Sequence, residues 1–203
     1  MRSKIKAVLT KLEKRSNLEK SRKVFTTSDQ RMLAITKETG EFFHTLLVGI
    51  RAKRVLELGT SVGYSTLWFA DALLENHENP RITTIEKNPF KISMSLQNFD
   101  RAGVSRFIQI RHGMILDILR EMPKKPVFDF VLIDADKENA DEYFDHVLPM
   151  LKVGGIVATD NMLFPEKYRK IMRKYSKHIA KKPNVRSATI PLGNGEEITV
   201  KIR

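Results

Sequence analysis

Residues 128–164 read FDFVLIDADKENADEYFDHVLPMLKVGGIVATDNMLF, and the rest of the chain can be placed from them. Two short apolar runs, Phe130-Val131-Leu132-Ile133 and Ile156-Val157-Ala158-Thr159, each stop at an acid: Asp134 after the first, Asp160 with Asn161 after the second. Between them Tyr143, Phe144, Val147, Leu148 and Leu151 fall on one helical face, so the pattern predicts a strand, a helix over 137–151 and a second strand. A crossover of that length makes the two strands parallel, and ligands of open α/β sheets sit at the carboxyl ends of such strands. Asp134, Asp160 and Asn161 are then expected to converge at one sheet edge, as hard oxygen donors suited to Mg2+ or Ca2+.

Outward from this unit the chain alternates. Strands are predicted at 54–58, 82–86, 107–110, 128–133, 155–159, 185–190 and 197–202, with helices at about 65–74, 89–102, 115–121 and 165–178 in addition to the central one. Strand alternating with helix signals a doubly wound α/β fold with a seven-stranded, mostly parallel sheet. The last two strands have no helix between them, only Pro191-Leu192-Gly193-Asn194-Gly195, a hairpin signal that makes the final strand antiparallel. Ahead of the sheet, 1–23 reads as an amphipathic helix with Ile5, Val8, Leu9 and Leu12 on one side, expected to pack on the domain or on a second subunit. A loop over 24–30 with Ser28 and Asp29 follows, then a helix capped by Thr36 over 36–50. No repeat or linker divides the chain, which is read as one domain over 1–203: an N-terminal helical segment, 1–50, and an α/β core, 51–203.

Composition narrows the class. No apolar run approaches the roughly 18 residues of a spanning helix, and the N-terminus is too basic and interrupted for a secretory leader. Cysteine is absent, which removes thiol catalysis, cysteine zinc sites and disulfides and makes a cytoplasmic location the expectation. The net charge of +12 is unevenly spread. Residues 1–23 carry +7 and 167–186 carry +9 with no acid, while 24–166 is −4. Basic flanks beside a slightly acidic centre fit a polyanion such as a nucleic acid backbone, or a solvated helix face.

The first strand runs into Glu57-Leu58-Gly59-Thr60-Ser61-Val62-Gly63-Tyr64-Ser65 and then a helix. Glycines there let backbone approach a ligand, and the helix start supplies free amides. A dinucleotide fingerprint would need glycine where Ser61 stands, which disfavours NAD. The letters also spell G-x-S-x-G, but no histidine follows in the place a hydrolase needs: His178 lies in a lysine-rich helix. The third reading is a nucleoside-binding loop for S-adenosylmethionine, with Glu86 at the end of the second strand accepting from both ribose hydroxyls.

At this point Arg54-Val55-Leu56-Glu57-Leu58-Gly59-Thr60 with Gly63-Tyr64-Ser65-Thr66-Leu67, then Ile133-Asp134-Ala135-Asp136-Lys137-Glu138-Asn139, Val153-Gly154-Gly155 and Asp160-Asn161, resemble the motifs of one family. The chain resembles the cation-dependent class I O-methyltransferases of the caffeoyl-CoA and catechol O-methyltransferase group. The resemblance implies a metal on Asp134, Asp160 and Asn161, and a methyl donor held near Glu57, Gly59, Thr60, Ser61, Gly63, Tyr64 and Ser65. It further implies ribose on Glu86, adenine near Gly113, Met114 and Ile115, and Asp136 lining the cofactor and substrate side. Lys137 matches the position of the proposed general base, and a homodimer is implied as well.

The chemistry expected is attack of a cation-bound hydroxyl on a sulfonium methyl group, with Asp134 holding the cation and Lys137 taking the proton. Alignment supplies much of the rate. The first acceptor expected is a small hydroxylated aromatic. Phe164 is followed at once by Pro165 and a basic helix, where many family members have a Trp and an insertion, so a more open site is expected. That openness and the basic flanks make a tRNA nucleoside such as 5-hydroxyuridine the alternative acceptor, and a non-catalytic nucleic-acid-binding protein the alternative class. The five histidines share no metal-ligand spacing, and Trp68 is expected in the core.

Overall fold

The computed structural model describes residues 1–21, 23–27 and 30–203. Arg22, Ser28 and Asp29, and with them part of the loop expected over 24–30, lie outside the described residues. In chain order the elements are α1 (Ser3–Lys20), α2 (Lys37–Gly49), β1 (Arg54–Leu58), α3 (Tyr64–Asn76), β2 (Arg81–Glu86), α4 (Pro89–Ala102), β3 (Ile108–His112) and α5 (Ile115–Glu121). There follow β4 (Phe128–Ile133), α6 (Ala140–Val147), β5 (Leu151–Thr159), α7 (Arg169–Ala180), β6 (Val185–Ile190) and β7 (Glu196–Lys201).

The sheet runs β3-β2-β1-β4-β5-β7-β6. Its first five strands are parallel, and β7 is antiparallel to both β5 and β6. The chain winds outward from β1 in one direction and from β4 in the other, so the crevice at the β1/β4 boundary is the topological switch point where such sheets take ligands. Both faces are covered. Val55, Phe130, Leu132, Ile156 and Ala158 pack beneath α1 to α4, while Leu56, Val131, Ile133 and Val157 pack beneath α5 to α7. The alternation follows from the two-residue period of a strand, and burial on both faces explains why the central strands read as continuous apolar runs.

Local chemistry fixes the helix ends. Thr36 caps α2 by accepting from Thr39 N at 3.2 Å, and Asn88 caps α4 ahead of Pro89. A Cβ on Gly40 of α2 would come within 2.4 Å of the Trp68 indole, so α2 and α3 approach through the missing side chain. Trp68 is in the core. The apolar side of α1 packs against the same cluster, so it is spent within the chain and does not offer a surface to a second subunit.

The helix expected over 137–151 is shorter: α6 starts at Ala140, and a 3-10 turn at Leu148–Met150 ends the crossover. Asp136 accounts for the late start, because its carboxylate accepts from Asn139 Nδ2 and from Tyr143 Oη, closing a turn over residues that would otherwise begin the helix. Lys137 therefore lies in that turn. Phe107, expected in the third strand, belongs to a 3-10 turn before it.

Candidate active site

Backbone hydrogen bonds continue the sheet one residue past the strand ends. Asp160 N donates to Ile133 O at 3.2 Å, Asp134 N to Leu58 O at 3.0 Å, Gly59 N to Ile85 O at 3.1 Å and Gly113 N to Glu86 O at 3.1 Å. This line brings Asp160, Asp134, Gly59, Glu86 and Gly113 together along one edge of the sheet. All five were singled out from the sequence.

The half over β1 and β2 is a closed hydrogen-bonded assembly. Gly59 holds φ +102, and a Cβ there would reach 2.1 Å from Asp134 O, so only glycine lets the two strand ends lie this close. Ser61 and Gly63 also have positive φ. Glu57 is wholly buried and accepts from Ser65 Oγ at 2.5 Å and from Thr66 Oγ1 and Thr84 Oγ1, both at 2.6 Å. Burial pushes its carboxyl up to about 7, against the three hydroxyls that pull it down. Glu86 is nearly buried and already accepts three amides, from Ser61 N at 2.9 Å, Lys87 N at 3.0 Å and Asn88 N at 2.9 Å. Oε1 takes two of these amides and Oε2 one, so one lone pair, on Oε2, is left to accept from a ribose hydroxyl. Tyr64 turns its hydroxyl away to Glu13 at 2.9 Å. Met114 is half-exposed at the start of α5, ahead of Ile115.

The half over β4 and β5 is built from acids facing acids. Asp160 is 3% exposed and is pushed up to about 7 by burial first and by the neighbouring Asp134 second. Lys137, itself buried, sits 3.3 Å from Asp134 Oδ1 and is the cation that offsets part of this charge. Asn161 takes a left-handed φ of 66°, which asparagine tolerates, and its amide donates to Asp160 Oδ1 at 2.6 Å. Asp136, which the sequence placed on the substrate side, is exposed and bonded to its own turn.

Sequence reading missed Glu196. This first residue of β7 is wholly buried and pushed up to about 11, by burial and by Asp160 against it. Its Oε1 accepts from Thr39 Oγ1 at 3.3 Å, while Oε2 has no donor among the described residues. Its place opposite Asp160 follows from the β5–β7 register, carried one step past Thr159 and Glu197. Thr84, which anchors Glu57, was likewise invisible, because it reaches β1 only through strand pairing.

The segment after Asn161 lies on the β6–β7 hairpin. Met162 N donates to Gly195 O, and Leu163 N and Phe164 N to Asn194 O, each at 3.0 Å. Leu163 and Phe164 stay exposed, Phe164 at 63%, so this loop is open to solvent.

An excess of buried carboxyl oxygen with one lysine is the donor chemistry that takes a hard cation. No three Asp, Glu or His side chains among the described residues form a ready cage. Asp134 and Asp160 with the side-chain oxygen of Asn161 make a two-acid set whose chemistry fits such a cation, completed by water or acceptor oxygens.

A family model described as O-methyltransferase matches residues 9–202. The chain is similar to a catechol O-methyltransferase from Niastella koreensis, 37% identical over 133 residues, covering 64% of this chain and 59% of that protein. It is also similar to a caffeoyl-CoA O-methyltransferase from Mesembryanthemum crystallinum, 30% identical over 183 residues, covering 81% of this chain and 71% of that one. Among solved structures, an O-methyltransferase from Bacillus cereus in complex with SAH has a TM-score of 0.79 at 25% identity, covering 99% of this chain and 91% of the other. The O-methyltransferase TomG from Streptomyces achromogenes, in complex with SAM, has a TM-score of 0.80 at 25% identity, covering 100% and 91%. No helix among the described residues is long and apolar enough to cross a membrane.

Proposed function

Because the chain belongs to the O-methyltransferase family, whose members use S-adenosylmethionine, we propose that it methylates a hydroxyl of a small catechol-like aromatic with the help of Mg2+ or Ca2+. The observation that carries this reading is the acid pair Asp134 and Asp160, set beside the Gly59 loop at the switch point of the sheet. The names of the Niastella and Mesembryanthemum relatives support the acceptor class.

Asp134, Asp160 and Asn161 would hold the cation, which when bound supplies Lewis acidity that lowers the pKa of a hydroxyl oxygen. The sulfonium of S-adenosylmethionine supplies the methyl group. Gly59, Thr60, Ser61, Gly63, Tyr64 and Ser65 form the loop and helix start against which its methionyl part rests, stiffened from below by Glu57. Glu86 accepts from the ribose through Oε2, and Gly113, Met114 and Ile115 face the adenine. Asp136 shapes the wall toward the acceptor by fixing the turn that carries Lys137. Lys137 lies beside Asp134 and takes the hydroxyl proton. The acceptor oxygen then forms its bond to the methyl carbon as the carbon–sulfur bond breaks, with the electron pair leaving on sulfur. No net charge develops on the oxygen side, so these residues act chiefly by alignment.

Labelled methyl transfer to a panel of catechols, with and without EDTA, tests the reading. Transfer that stops in EDTA and returns with Mg2+ is expected, and transfer indifferent to EDTA overturns the cation's role. One observation favours a second acceptor. On α7, Lys170, Arg173, Lys174 and Lys177 are exposed and have no acidic partner within salt-bridge distance among the described residues. This basic helix follows directly on the open loop beside Asp160, so a hydroxylated tRNA nucleoside such as 5-hydroxyuridine is the second reading. Bulk tRNA at two salt concentrations is the matching arm: signal confined to it, and falling steeply with salt, would put the second reading first. Membership of a transferase family argues against a non-catalytic nucleic-acid binder. We also place the chain in the cytoplasm, as a single domain, and a homodimer would use a surface other than the apolar side of α1.

A further inference from the structure

The pairing of β5 with β7 sets Thr159 opposite Glu197, and one step further the same register sets Glu196 opposite Asp160. Residues opposite each other in an antiparallel pair send their side chains to the same face, with Cβ atoms about 4.5–5.5 Å apart, and like charges there are destabilising. Glu196 is wholly buried, has one oxygen fixed by the Thr39 hydroxyl and leaves the other without a donor among the described residues, and the register sets its side chain on the same face as that of Asp160. An apolar side chain at this place would fill the space with none of these costs. A strand that carries a buried carboxyl at this register sets it against Asp160 from across the pair and limits how that side chain can turn.

We propose that Glu196 is a positioning residue of the cation site, holding the Asp160 carboxyl from β7 so that its outer oxygen is presented beside Asp134. This rests on the cation reading above and adds to it a residue from a part of the chain distant in sequence. Thr39 backs Glu196 from α2, and Gly193 keeps that contact close, since a Cβ there would come within 2.3 Å of Thr39 Oγ1.

The test is direct binding of Mn2+ to the full chain, followed by titration calorimetry, in the wild type, Glu196→Gln and Glu196→Leu. Leucine cannot hold Asp160, and its Mn2+ affinity is expected to fall ~10–100-fold, as for other residues that orient a metal ligand. Glutamine can donate an N–H to Asp160 and accept from Thr39, and is expected to stay within ~3-fold of wild type. S-adenosylmethionine affinity should be unchanged in both variants. Equal Mn2+ affinity in wild type and Glu196→Leu overturns the proposal. So does a loss in Glu196→Gln as large as in Glu196→Leu, because charge rather than orientation would then be what Glu196 supplies. Should the leucine variant not fold, Thr39→Val removes the backing hydroxyl: a drop of ~3-fold in Mn2+ affinity is expected, and no drop counts against the proposal. A wild-type chain that binds no Mn2+ fails differently, breaking the cation reading itself and this inference with it.

Discussion

The two halves of the strand-end crevice bury acids in opposite ways. Over β1 and β2, Glu57 and Glu86 are each met by three donors from the chain's own hydroxyls and amides. Over β4, β5 and β7, Asp134 pairs with Lys137, Asp160 accepts one backbone amide and Glu196 one hydroxyl, and the second Glu196 oxygen has no donor among the described residues. A satisfied buried acid is a strut, whereas a cluster of acids short of donors is stable only with something positive added. The difference separates a wall that shapes a ligand from a wall that waits for one.

The largest expected effect removes the unsatisfied side. Asp160→Ala should lower kcat/KM for methyl transfer ~1,000-fold with S-adenosylmethionine affinity retained, since it takes away a donor to the cation and not a contact to the nucleoside. An equal loss of both would erase the distinction between the halves. Lys137→Met should cost ~100-fold in kcat, in the range of a general base, and its deficit should shrink as pH rises and the acceptor hydroxyl ionises unaided. A pH-independent deficit would make Lys137 a structural partner of Asp134 alone.

The next effect reads the satisfied side through stability. Glu57 is raised from 4.5 to about 7, so between those values the folded chain holds a proton that the unfolded chain has released. Stability therefore falls as pH rises from about 4.5 to 7 and levels off above that, by an amount on the order of 3 kcal/mol for this one group. Urea unfolding at pH 5 and pH 7.5 should show this slope in the wild type and a flatter one in Glu57→Gln. Equal slopes would mean the three hydroxyls fully cancel the cost of burial. Smallest, Glu86→Ala should weaken S-adenosylmethionine ~10-fold and leave Mn2+ binding unchanged; a loss of Mn2+ binding would show that the halves are coupled.

How much of this could be read from the chain depends on range. The strands Arg54–Leu58, Phe128–Ile133 and Val185–Ile190 and the helix Pro89–Ala102 were legible to the residue because their signals are local: apolar runs buried on both faces for the first two, a hairpin turn just after the third, and a proline at a helix start. The strand ends bearing Asp134, Asp160 and Glu86 followed from alternation alone. Lys137 was displaced from a helix to a turn because Asp136 found Asn139 and Tyr143, a competition between local bonds that periodicity does not see. Glu196 and Thr84 were hidden because each meets its acid across a strand pair, where partners are set by register rather than by spacing.

The position of β7 has a consequence for how the chain is made. It is the final strand in sequence, yet it sits inside the sheet with partners on both sides. Until residues 196–201 have left the ribosome, the outer edge of β5 has no neighbour, and Asp160 has nothing across from it. A partly synthesised chain thus carries an open, apolar β5 edge through the production of α7 and β6, the kind of edge that invites mispairing. The acid-free basic helix α7, made just after β5, adds to the charge of residues 1–23 in keeping such nascent chains apart.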